Sequence, residues 1–397
     1  MADLPADVVA GVLSALPVKL LMRFRCVSKQ WCGLIDSQFF IKSHLNRSIE
    51  TNTNRSLILK RYIYLGACHL FSVNLDWASP IGFKGCPVVF NGLGYSIDRM
   101  DPVDDQPPCE EVLGCCNGLL CLFDHYEYVV LWNPSTRKRH KLPFSSIEMP
   151  HRSTPQHCCN LIPITQFCGC RYILYGFGYD GVNDDYKVVR IVKCLNGSDS
   201  EVKVYSLKSN SWRRVEDFPY DHHHHPYEES GVDGVLVNGA LHWTLTSTPH
   251  AQAQVGVANL TLIAAFDLGV EEFQLVPQPE YLDTNIWINV GSLGGCLCIL
   301  CTLVLTIDVW VMEEYGVKES WIKLFAIQKS SFSRPVAMGD VLKPIGYSKG
   351  GGEVLLGQRR WLHWYDLKKK TVTNVEIYDG SESLAADICF ESMVTVL

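Results

Sequence analysis

The chain has 397 residues, of which 47% are hydrophobic and 19% charged, with 30 glycines and 19 prolines. Such a packed, punctuated composition excludes a disordered tail or a coiled coil, and the length suits two or three domains or one large all-β unit beside a small one. The formal net charge of -7 argues against a bulk polyanion such as nucleic acid as the main ligand.

The first 45 residues read as three short helices. In the first, Pro5 stands where a helix start tolerates proline, and Val8, Val9, Val12, Leu13 and Leu16 recur at helical spacing. Gly11 weakens this helix and Pro17 ends it. The second carries Leu20, Phe24 and Val27 on one stripe, with Lys19, Arg23 and Arg25 outside it. The third opens on Ser28 as N-cap and buries Trp31, Leu34 and Ile35. A unit this small has a thin core, so a partner covering its remaining apolar face would steady it.

Residues 46–55 are polar and are expected to be a linker. From Ser56 onward the pattern is short β-like runs split by Gly, Asn, Asp and Pro. One unit recurs, an apolar strand ending in a turn. Val73, Asn133, Ser206, Asp267, Met312 and Asp366 are equivalent in it, at intervals of 45 to 73 residues. Ahead of several copies stands a tight hairpin: Asn117-Gly118, Asn238-Gly239, Gly294-Gly295 and Lys349 to Gly352. Four-stranded units at this spacing predict a β-propeller of about six blades, closed by Ile388–Val394 against the first blade. A β-sandwich pair or an irregular barrel is the alternative.

The uncharged stretch from Thr284 to Ile307 resembles a membrane helix by hydropathy alone. Gly291, Gly294 and Gly295, followed by β-branched Thr302, Val304, Thr306 and Ile307, predict instead two strands around a glycine turn, so no membrane insertion is expected. Asp3 and Asp7 stand where a secretory leader would be basic, so the 17 cysteines are expected to be reduced in the cytosol or nucleus. Cys158, Cys159, Cys168 and Cys170 are the best candidates for a metal. Adjacent Cys–Cys and C-x-C fit the usual C-x₂₋₄-C half-site poorly, however, because neighbouring strand residues point to opposite faces, and no metal or other cofactor is expected. The run His222–His225 reads as a solvated loop, as do Asp101, Asp104 and Asp105, and Glu228-Glu229; either acidic group could rim a binding face. No spacing singles out catalytic residues.

Two stretches carry a resemblance. Leu4-Pro5-x-Asp7-Val8-Val9, Leu13-x-x-Leu16-Pro17-Val18-Lys19-x-Leu21 and Arg23-Phe24-Arg25-Cys26-Val27-Ser28-Lys29-x-Trp31 with Leu34-Ile35 closely resemble the plant F-box. Leu131 to Thr136, Tyr175 to Asp180, Asp184 to Arg190, Asn238 to Trp243 and Asp308 to Gly316 with Trp321 resemble the plant F-box-associated, Kelch-like domain. Proteins of this family include S-locus F-box proteins and regulators of immune-receptor levels.

The resemblance implies an α+β multidomain chain: a three-helix F-box over residues 1–45, a linker, and a propeller-like domain over 56–397. It also implies a non-catalytic substrate-recognition subunit of an SCF ubiquitin ligase. Such a subunit binds a Skp-type adaptor, through it a cullin, and separately a protein substrate. Leu4, Pro5, Leu13, Leu16, Pro17, Leu20 and Leu21 are then candidates for the adaptor face, with Phe24, Val27, Trp31 and Leu34 more in the bundle core. A receptor for a carbohydrate or small hormone, and an enzyme working in the propeller channel, are the alternatives.

Overall fold

The computed structural model describes residues 5–63, 67–74, 91–92, 110–124, 128–148, 167–168, 171–194, 199–220, 233–247, 260–280, 287–333, 336, 342–358, 361–375 and 384–396. Four helices come first: α1 (Ala6–Ser14), α2 (Val18–Phe24), α3 (Lys29–Ile35) and α4 (Gln38–Glu50). Among the described residues, everything after them is strand and turn, apart from two short 3₁₀ turns.

The fourth helix runs through the first half of the expected linker. Ser37 caps it, accepting from Phe40 N at 3.2 Å. Its inner stripe is Phe40, Ile41, His44, Leu45 and Ser48, all buried. Two of these are polar and pair internally. His44 Nε2 lies 2.8 Å from Leu16 O, and Ser48 Oγ accepts from Asn54 Nδ2 at 2.9 Å. Their polarity hid a buried helix face.

The strands group into six blades of four among the described residues, with blades three and four joined into one nine-stranded sheet by a parallel pairing of Asp233 and Gly234 with Tyr175 and Gly176. Blade one contains β1 (Arg55–Ile63), β2 (Ala67–Asn74) and β3 (Asn91–Gly92). Blade two contains β4 (Glu110–Cys116), β5 (Leu119–Asp124), β6 (Tyr128–Asn133) and β7 (Lys138–Lys141). Blade three contains β9 (Arg171–Asp180), β10 (Asp185–Cys194), β11 (Ser200–Ser206) and β12 (Ser211–Arg214), with the short β8 (Phe167–Cys168) beside β9. Blade four contains β13 (Asp233–Val237), β14 (Ala240–Ser247), β15 (Leu260–Asp267) and β16 (Phe273–Leu275). Blade five contains β17 (Trp287–Leu293), β18 (Cys296–Thr302), β19 (Thr306–Met312) and β20 (Trp321–Gln328). Blade six contains β21 (Leu342–Tyr347), β22 (Glu353–Gln358), β23 (Trp361–Asp366) and β24 (Thr371–Asn374). The last strand, β25 (Leu384–Phe390), pairs antiparallel with β1 and completes blade one from the inside. First and last parts of the chain thus share one sheet, and the ring closes by strand pairing.

The repeat positions are structurally equivalent. Asn133, Ser206, Asp267, Met312 and Asp366 each end the third strand of a blade, and Val73 lies one residue short of that end. The reason is turn chemistry. Asn133 Oδ1 accepts from Ser135 N at 2.8 Å, Asp267 Oδ1 from Gly269 N at 2.7 Å, and Asp366 Oδ1 from Lys369 N at 2.8 Å. Asn117-Gly118 and Asn238-Gly239 have positive φ at both residues, as a two-residue hairpin between first and second strands requires. The glycine-rich uncharged stretch is likewise strand, turn, strand: β17 and β18 pair across Gly294-Gly295. No helix among the described residues is long and apolar enough to cross a membrane.

Each blade is held by buried apolar side chains shared with its neighbours. Trp243, at 2% exposure, packs with Leu174, Val189 and Phe266 between blades three and four. Trp132 is equally enclosed, beside Ile58 and Leu120. Four described cysteines, Cys116, Cys121, Cys298 and Cys301, fill the core as small apolar residues. Cys115 and Cys389 depart from the expectation of reduced thiols. They stand on the innermost strands of blades two and one and are joined as a disulfide.

Candidate functional site

Antiparallel pairing places the short first-to-second and third-to-fourth turns of blades two to six at the same end of the ring. The helices enter β1, the second strand of blade one, at that end too. The opposite end receives the second-to-third connections and the connections between blades. The sequence candidates Asp101, Asp104, Asp105, Cys158, Cys159, His222–His225 and Glu228-Glu229 are not among the described residues, and neither is Cys170.

The helical module is built around Leu13, Val18, Leu21, Ile35, Phe40 and Ile41. Ser28 caps α3 as expected, accepting from Trp31 N at 3.1 Å, and Trp31 meets Phe24 edge to face with ring centres 5.7 Å apart. Arg25 pairs with Asp36 at 2.7 Å, tying the end of α2 to the end of α3. That hydrogen bond holds the Asp36 carboxyl below its ordinary range, against the opposing effect of partial burial.

Of the residues that the resemblance assigns to adaptor binding, Leu4 lies outside the described ones. Pro5 and Pro17 are exposed, each at the N-cap of a helix, and Leu16 and Leu20 are half-buried. Leu13 and Leu21 are fully covered, at 1% and 0% exposure. Their side chains belong to the module's core, because α1 and α2 turn those positions toward α3 and α4. Val27, expected inside, is 60% exposed. The outward apolar residues are instead Val8 and Val12, at 48% and 60% exposure and one helical turn apart on α1. They carry a signal legible in the sequence: α1 is apolar on two sides, more than its own core requires. Phe39, 83% exposed on α4, is also outward and apolar, and no sequence motif marks it.

Among the described residues, no group of three or more His, Cys, Asp or Glu is arranged to hold a metal ion. A cleft between blades two and three, lined by Phe123, Tyr175, Arg190 and Trp212, encloses about 30 Å³. That is room for about one water, far below the several hundred cubic ångströms of a drug-sized site.

Known proteins place this architecture. Residues 1–43 match the F-box domain, and residues 71–348 match the F-box associated beta propeller domain. The chain is 34% identical to the Arabidopsis thaliana F-box protein CPR1, over 99% of this chain and 89% of that one. It is 32% identical to the F-box protein At4g22390 of the same plant, over 99% and 90%. It is also 28% identical to the F-box/kelch-repeat protein At3g23880 from that plant, over 86% and 84%. The chain belongs to the plant F-box proteins that carry an F-box-associated β-propeller domain.

Proposed function

We propose that this protein is the substrate-recognition subunit of an SCF ubiquitin ligase. The helical module holds a Skp-type adaptor, which links it to a cullin. The far end of the propeller holds a protein substrate. Ubiquitin transfer is then accelerated by proximity, since tethering two proteins raises their effective concentration, and no residue of this chain performs bond chemistry. Such a subunit works in the cytosol or nucleus.

One observation carries the reading: an F-box module with outward apolar residues on α1 sits at the end of the ring where the short turns of blades two to six lie. The adaptor face we assign is Pro5, Val8, Val12, Leu16, Pro17 and Leu20, with Leu4 preceding it and Leu13 and Leu21 supporting it from beneath. The connections at the opposite end suit a protein substrate, because loops on a rigid ring supply a broad contact face.

Capture of a purified Skp-type adaptor tests this. The full chain should retain the adaptor, and a chain lacking residues 1–50 should not; equal retention by both would refute the reading. Proteins that accumulate in cells expressing only the propeller domain would then identify substrates.

A further inference from the structure

Beyond β25 the chain does not leave for solvent. Glu391 N donates to Asn54 O at 2.7 Å, at the junction of the helices and blade one. Ser392 is fully buried, and its Oγ donates to Asn117 O in the first turn of blade two at 2.7 Å. Met393, 5% exposed, enters the core of the helical module beside Leu13, Leu21, Ile35 and Phe40. Val394 touches both that core and the core between blades two and three, and Val396, 2% exposed, lies within the latter. Alternate side chains of one extended segment therefore plug into two different bodies.

Asn133 reads this segment by its backbone. Its Nδ2 donates to Ser392 O at 3.1 Å and to Val394 O at 2.8 Å, while its Oδ1 caps the turn of its own blade. The equivalent residues of blades three to six are Ser206, Asp267, Met312 and Asp366, none of which carries an amide donor. Gly118 is fitted in the same way. A Cβ there would run into Ser392 Oγ and stand 2.6 Å from Phe390 O, whereas at the equivalent Gly239 it would meet nothing within 4 Å. An ion pair also joins module and ring, Lys42 with Asp184 at 2.6 Å, but it is half-exposed on both sides and holds weakly.

We propose that Glu391–Val396 is a splint that fixes the helical module on the propeller, with Met393 and Asn133 as its positioning residues. Domains joined by a small interface move relative to each other by default, and a shared buried segment removes that freedom. The consequence for catalysis rests on the ligase reading above: the splint sets the direction from adaptor-bound machinery to the far end of the ring. The mechanical claim does not depend on that reading.

The test is the distance distribution between fluorophores at Lys29 and Lys369, introduced through unnatural amino acids in the full chain, alongside adaptor affinity. Asn133→Asp keeps the turn acceptor and removes both donors to the splint. Met393→Asp removes the plug. Gly118→Ala crowds the splint, and Gly239→Ala is its control, with the same positive φ and open space. The wild type and Gly239→Ala should give one narrow distribution, and the other three should broaden it by about twofold or more. Adaptor affinity should stay unchanged for Asn133→Asp and Gly118→Ala, while adaptor-dependent ubiquitination falls on the order of tenfold. A narrow distribution in both Asn133→Asp and Gly118→Ala overturns the proposal, even where Met393→Asp unfolds the module. So does a wild-type distribution as broad as theirs. Loss of adaptor binding by the wild type would overturn the ligase reading alone, since the distances are measured without adaptor.

Discussion

The Lys187 ammonium lies 2.7 Å from the Asp180 carboxylate, and both side chains are almost wholly out of water. Glu271, from the outer turn of blade four, approaches the same ammonium to 2.7 Å, and Leu268 O accepts from it at 2.6 Å. The cluster joins the first hairpin of blade three to blade four. Burial alone would push the Asp180 carboxyl up and the Lys187 ammonium down; the hydrogen bonds between them reverse both directions. Removing the cation alone leaves the buried Asp180 carboxylate without its counter-charge and Glu271 with only the half-exposed Arg213. Lys187→Met should therefore destabilise the propeller by about 3–5 kcal/mol in chemical unfolding. Adding Asp180→Asn and Glu271→Gln should recover most of that loss. A single variant within 1 kcal/mol of the wild type, on the order of a surface pair, would contradict the account.

Acid should loosen the ring through His242. Its ring is fully buried, with Nδ1 3.0 Å from Val235 O and Nε2 2.8 Å from Tyr315 Oη. Burial pushes its pKa down to about 4, against the bond to Val235. The unfolded chain binds a proton near pH 6.5 and the folded one only near 4. The stability at stake is whole above about pH 7 and is lost as pH falls through that interval. Between pH 7.5 and 5 the loss should be about 2 kcal/mol, read as a shift in urea midpoint, and His242→Gln should abolish that part. His44 is lowered for the same reason, burial, so the helical module should share the acid sensitivity.

Turn chemistry was what made the ring legible in sequence. Asp267 could be matched to Asp366 across a hundred residues because each accepts from backbone N–H groups of its own turn, a purely local requirement. Asp267→Ala should thus cost about 1 kcal/mol in thermal or urea unfolding, and Asp267→Asn much less. What stayed hidden is non-local. Helix α4 was masked by His44 and Ser48, whose burial depends on Leu16 O and Asn54 in other elements. Met393 reads as a strand-like residue, and nothing near it in sequence announces that its neighbours are Leu13 and Leu21. The split of the adaptor candidates into covered and outward residues was equally invisible. Spacing on α1 defines an apolar stripe but not which edge of it the bundle takes.

The Cys115–Cys389 bond joins strands 274 residues apart in sequence. A cross-link over so long a loop restricts the unfolded chain, and typical contributions are about 2–4 kcal/mol. Peptide mapping without reductant should recover the linked pair, and the unfolding midpoint should drop when dithiothreitol is added. Cys389→Ser should unfold at the reduced midpoint with or without reductant. An identical wild-type midpoint in both buffers would mean that the pair does not stabilise the fold.

On α1, Val12 and Leu13 are sequence neighbours with opposite fates, 60% and 1% exposed. That contrast separates the adaptor role from simple folding. Val12→Asp places a charge on the outward face, where surface substitutions stay within about 0.5 kcal/mol in stability. Under the proposed role it should nevertheless abolish adaptor capture, because a desolvated carboxylate without a partner disrupts an apolar interface. Leu13→Ala instead opens a cavity in the module and should cost about 2–5 kcal/mol, with helical signal lost in proportion. Urea unfolding and adaptor pull-down on the same preparations read the two effects apart. If Val12→Asp binds the adaptor as tightly as the wild type, the outward face of α1 is not the docking surface, and the half-buried edge at Leu16 and Leu20 becomes the face to test.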